Sequence, residues 1–155
     1  MVAQRGTLNK VEQGVFMVLS LPVSAFAHID DDGDGKMSGA EFDRHYVAIS
    51  DAVAEGIQLT DDNGNKPLQG VLLSPVMEHG HGVEHDTVSK QLVVMGRFAL
   101  ENMKGDLHFV VNLFGKHAQE QKLTVTVSDA AIPSESQQMV LTPGWPAGKV
   151  LWPKP

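Results

Sequence analysis

Leu123-Thr124-Val125-Thr126-Val127-Ser128 alternates large apolar with small hydroxylated side chains at every step. A period of two puts Leu123, Val125 and Val127 on one face of an extended chain and Thr124 and Thr126 on the other. The same texture spreads outward from this stretch. Leu107, Phe109, Val111 and Leu113 share a face, as do Leu92, Val94, Phe98 and Leu100. Further strands are predicted at Val71 to Met77, at Gln138 to Leu141 and at Ile57 to Thr60, the last followed by an Asp62-Asn63-Gly64-Asn65 turn. A strand with one apolar face needs a second layer to cover it. Many such strands at short intervals therefore predict a mainly β chain, an Ig-like two-sheet β-sandwich or an open barrel forming a single domain over residues 1–155.

Toward the N-terminus, Val11 to Leu21 reads as a first strand with Val15, Met17, Leu19 and Leu21 on one parity. After Pro22 the spacing turns helical, with Phe26 and Ile29 on one side, then an acidic glycine-rich stretch, then Phe42, Tyr46, Ile49 and Val53 up to a stop at Gly56. A helix–loop–helix over residues 22–56, inserted after the first strand, is the expectation. At the other end, residues 142–155 are rich in proline and glycine and should form an extended tail, with Trp145 or Trp152 laid on the domain.

Composition narrows the function. Twelve Lys and Arg against nineteen Asp and Glu give a net charge of −7, which repels nucleic-acid backbones and anionic lipid and favours cations as partners. The absence of cysteine excludes disulfides, thiolate-ligated zinc and a thiol nucleophile. The longest apolar run, Gly14 to Val23, is too short for a membrane span, which needs about 20 residues as a helix. Met1 to Gly6 lacks the apolar core of a secretory signal peptide, so the chain is expected to be cytoplasmic or a mature exported domain. No nucleophile elbow, phosphate-cradling glycine loop or Ser/His/Asp arrangement stands out, and the expectation is a protein that is not an enzyme.

The chemistry concentrates in Asp30-Asp31-Asp32-Gly33-Asp34-Gly35-Lys36-Met37-Ser38-Gly39-Ala40-Glu41, which fits the D-x-[DN]-x-[DN]-G-x5-E calcium loop at every defined place. Calcium takes six to eight oxygens at about 2.3–2.6 Å. Asp30, Asp32 and Asp34 supply three from one tight turn, and Gly35 stands where the chain must bend sharply. The Lys36 carbonyl, Ser38 directly or through water, and a bidentate Glu41 complete the shell. Clustered carboxylates repel by roughly 4 kcal/mol per pair at about 4 Å and an effective dielectric near 20, so only a bound cation makes the cluster favourable. Magnesium, which keeps strict octahedral geometry and its waters, suits a bidentate Glu41 less well than Ca2+.

With its apolar flanks, this stretch resembles the EF-hand family over residues 22–56. EF-hands usually occur as pairs joined through the eighth loop residue, here Met37. A lone hand implies either that Met37 packs on the β-domain of a monomer or that two chains pair hand to hand as a dimer; the short leading helix argues against large sensor-type opening.

A second candidate is Met77-Glu78-His79-Gly80-His81-Gly82-Val83-Glu84-His85-Asp86. His79, His81 and His85 with neighbouring carboxylates could ligate nickel, zinc or copper; the competing reading is a polar loop between strands. The order of strand, acidic loop, helix and Ile57-Gln58-Leu59-Thr60-Asp61-Asp62-Asn63-Gly64 also resembles the extracytoplasmic N-terminal domain of HupE/UreJ-type membrane proteins. That resemblance implies a periplasmic or exported domain concerned with nickel or cobalt. Two alternatives to a purely calcium-stabilised domain follow: a transition-metal accessory domain using the histidine loop, and a calcium-dependent adhesion or interaction module with a protein partner.

Overall fold

The computed structural model describes residues 4–26, 37–61, 64–78, 88–100, 106–116 and 118–152. The described chain is mainly β, with two sheets and one α-helix. In order it runs β1 (Gln4–Val11), β2 (Gly14–Pro22), β3 (Met37–Ser38), α1 (Gly39–Gly56), β4 (Ile57–Asp61), β5 (Gly64–Lys66), β6 (Leu68–Glu78), β7 (Val88–Ala99), β8 (His108–Val111), β9 (Leu123–Asp129), β10 (Ser136–Leu141) and β11 (Ala147–Lys149). The larger sheet has the order β10-β9-β1-β2-β7, with β3 and β6 both paired to β7. The smaller has the order β11-β8-β4-β5. Among the described residues no helix is long and apolar enough to cross a membrane.

The alternating runs behave as their periodicity dictates. Leu123, Val125 and Val127, Leu92, Val94 and Phe98, and Leu107, Phe109 and Val111 are all buried, and they join one apolar cluster with Leu8, Met17, Leu19, Leu59 and helix residues Ile49 and Val53. Opposite parities such as Thr124 and Thr126 stay half-exposed. β4 and β5 pair antiparallel, with Asp61 opposite Gly64; Asp62 and Asn63, where the turn is expected, lie outside the described residues.

The beginning of the chain departs from expectation. Val11 to Leu21 is not one strand: Val11 closes β1, Glu12 and Gln13 form a two-residue turn, and β2 starts at Gly14. Glu12 takes φ 54°, a conformation that a Cβ penalises and that no glycine or asparagine announces in the sequence. The segment after Pro22 therefore follows a hairpin rather than a first strand. Of the predicted leading helix, the described part is a single 3-10 turn, Val23–Ala25, closed by the Phe26 N–H on the Val23 carbonyl at 3.0 Å. Residues 27–36 lie outside the described residues.

Helix α1 ends at Gly56, as predicted, and what favours glycine there is a close contact rather than a left-handed backbone. A Cβ at Gly56 would stand 2.8 Å from Leu113 Cγ, while the Gly56 carbonyl accepts from the Asn112 N–H at 2.8 Å. Gly56→Ala is expected to lower stability by about 1–3 kcal/mol through overpacking, measured as a drop in the urea midpoint with unchanged slope. Ile49 and Val53 face inward and Phe42 is half-buried; Tyr46 stays exposed and meets Phe42 edge-on at 5.5 Å. In the proline-rich tail, Trp152 packs against the core with Lys10 over its ring, whereas Trp145 is exposed.

Candidate metal centre

The acidic stretch lies in sequence between two strands that pair with the same edge of β7. β2 runs antiparallel to β7 as far as Pro22 opposite Gln91, and β3 resumes at Met37 opposite Ser89. β6 occupies the other edge of β7 at the same level, so β2 and β3 lie on one edge in one direction. Their anchor points on β7 are two residues apart, or about 7 Å at about 3.4 Å per residue. The sheet thus holds both ends of residues 23–36 close together. Met37 is fully buried at the return point.

The first turn of α1 completes this return. Ser38 is its N-cap: Ser38 Oγ accepts from the Glu41 N–H at 3.1 Å, and Glu41 Oε1 accepts from the Ser38 N–H at 3.0 Å. This reciprocal capping box satisfies two backbone donors that the helix would otherwise leave without partners, and it sets a carboxylate at the positive end of the helix dipole. Ser38-Gly39-Ala40-Glu41 carries the S-x-x-E signature of such a box, a signal that the metal-loop reading passed over. Glu41 is only 5% exposed. A charged residue taken so far inside needs compensation, of which the Ser38 N–H is one part.

The departing end is tethered as well. Ser24, in the 3-10 turn, donates its hydroxyl to Glu120 Oε1 at 2.7 Å and accepts from the Lys116 N–H at 3.4 Å. Glu120 belongs to a short turn before β9 whose carbonyl accepts the Gly115 N–H at 3.1 Å. No feature of the local sequence pattern connects Ser24 with Glu120; the pairing spans nearly a hundred residues.

Of the residues expected to hold calcium, Ser38 and Glu41 are brought together as described. Asp30, Asp32, Asp34 and Lys36 lie outside the described residues, as do His79, His81 and His85. The ends of the histidine loop are nonetheless fixed in register. Met77 and Glu78 of β6 pair with Ser89 and Val88 of β7, the same two residues that Met37 and Ser38 face from the opposite edge. The two loops therefore emerge at one end of one sheet, with β3 and β6 separated by about 10 Å across β7. Among the described residues no group of three or more His, Asp or Glu side chains comes together. No family model matches the chain, and no curated protein matches it.

Proposed function

We propose that the chain is a calcium-binding, non-enzymatic domain whose single EF-hand-like loop, Asp30 to Glu41, stabilises a β-sandwich. Asp30, Asp32, Asp34, the Lys36 carbonyl, Ser38 and Glu41 are its ligands. The observation that carries this reading is the inward carboxylate of Glu41 at the first turn of α1, beside a fully buried Met37, at the closing place of a loop that satisfies the calcium pattern throughout. The eighth loop residue, Met37, which in paired hands joins a second hand, pairs here with Ser89 of β7. That supports a hand docked on its own sheet in a monomer over a hand-to-hand dimer. An ion in this loop would fix the strand path between β2 and β3 and clamp α1, a structural role. A periplasmic or exported setting, where calcium is abundant, suits a site of modest affinity. Calorimetric titration of the chain should find one calcium per molecule, and Asp30→Ala should abolish the binding; a flat titration of the wild type overturns the reading.

A second reading has one specific observation in its favour: the histidine loop emerges at the same sheet end as the acidic loop. In it, His79, His81 and His85 hold nickel, zinc or copper while calcium keeps the platform in place. Titration with each metal before and after replacing the three histidines by alanine should show a loss of at least tenfold in affinity for one metal. Equal binding by both proteins removes this reading.

A further inference from the structure

The solvent face of the larger sheet changes character from one side to the other. Over β9 and β1 it presents Thr124, Thr126, Arg5, Thr7 and Asn9, whereas over β2, β7 and β6 it presents Phe16, Val18, Met95 and Leu72. Phe16 is 46%, Val18 41% and Leu72 62% exposed. The apolar half is hollow. Gln69 faces Arg97 and Leu72 faces Met95, so Gly70 and Val71 together oppose Gly96 in a β-bulge, with Gly70 at φ +61°, which side chains seldom tolerate. The bulge arches β6 and leaves a trough of about 460 Å³ walled by Phe16, Val18, Leu72 and Met95. That size falls within the range of small-ligand sites.

One charge stands at this trough. The Arg97 guanidinium carbon lies 5.9 Å from the centre of the Phe16 ring, and among the described residues no carboxylate pairs with Arg97. In a chain with nineteen acidic residues against twelve basic ones, a cation stacked on an aromatic ring beside an apolar trough and left without an anion is the notable feature. A second copy would not supply the anion, because a two-fold pairing sets the patch against itself and its only charge is positive. Strand addition along the edge of β6 is also disfavoured, by the bulge at Gly70 and by Pro75, which has no N–H to donate. We propose that this trough binds a small amphipathic carboxylate, its apolar body between Phe16, Val18, Leu72 and Met95 and its carboxylate on Arg97. The site lies on the solvent face of the sheet and does not depend on the calcium reading.

Decanoate, decanol and decyltrimethylammonium serve as probes, read by displacement of anilinonaphthalene sulfonate fluorescence and by shifts of the Met95 methyl resonance. The wild type should bind decanoate saturably at one per chain. Arg97→Gln should weaken decanoate about tenfold or more, the size of a lost charge-assisted pair, and leave decanol unchanged. Leu72→Asp, at an exposed position, should abolish both; if that variant does not fold, the Arg97→Gln comparison and the Met95 shifts decide. Equal decanoate affinity in wild type and Arg97→Gln, preference for the ammonium amphiphile, or binding that never saturates overturns the proposal. So does concentration-dependent dimerisation lost in Leu72→Asp without any decanoate effect, which would make the face an interface between copies.

Discussion

Saturating calcium is expected to raise the melting temperature by about 5–10 °C, and Glu41→Gln is expected to cancel most of that rise. A ligand that binds only the folded chain stabilises it by about 2.7 kcal/mol at a hundredfold excess over its dissociation constant, and about 1 kcal/mol moves the midpoint of a chain of this size by about 2–4 °C. Glutamine separates the two roles of Glu41. Its amide oxygen can still accept the Ser38 N–H, now made at 3.0 Å, so the helix cap survives while the charged bidentate ligand is lost. Ser38→Ala acts mainly on the cap, because the ligand it removes is one that water can replace. It removes the hydroxyl that accepts the Glu41 N–H and should cost about 1 kcal/mol with or without calcium, leaving much of the calcium-dependent rise in place. Magnesium at equal concentration should give a smaller rise. A wild-type melting curve indifferent to calcium, or an equal rise in Glu41→Gln, defeats the calcium assignment.

What the sequence made legible, and what it hid, follows from the range of the forces involved. Strands with a full alternating face, such as Leu123 to Ser128 and Leu107 to Val111, announce themselves because burial of every second side chain is written locally. β1 does not. In Gln4–Val11 the apolar inward positions amount to little more than Leu8, and the strand exists because β2 and β9 pair with it on both sides, β9 in parallel. Tertiary pairing there outweighs local propensity. β3 is two residues long and is defined only by Ser89 and Val88, some fifty positions away. The candidate metal centre divides the same way. Ligand spacing and the cap at Ser38 and Glu41 are short-range patterns, whereas the pairing of Pro22 and Met37 with β7 and the tether from Ser24 to Glu120 are contacts between distant parts of the chain. No periodicity within a window of residues can encode them.

A buried ion pair gives the second large effect. Asp61 Oδ2 and Lys66 Nζ approach to 3.1 Å across the β4–β5 hairpin, with side chains only 4% and 9% exposed. Lys66 also lines a cavity of about 390 Å³ shared with Ser50 and Ala54 of α1 and Val71 of β6, so its stem occupies space beneath the helix as well as carrying charge. Lys66→Met keeps much of that stem but withdraws the ammonium from a carboxylate that water scarcely reaches. The expected cost is about 3–5 kcal/mol, a large part of a total stability of about 5–15 kcal/mol, read from the urea midpoint. Because the pair is shielded, raising the salt concentration should change this cost little, unlike that of the exposed Lys149–Asp106 pair. The decisive variant is double. If the cost of Lys66→Met is that of a buried carboxylate deprived of its lysine, Asp61→Leu with Lys66→Met should recover most of the loss, since apolar replacement of both members of a buried pair is often neutral. A double variant as unstable as the sum of the two single ones would mean that each side chain acts alone, and that the 3.1 Å approach contributes nothing to the stability of the hairpin following α1.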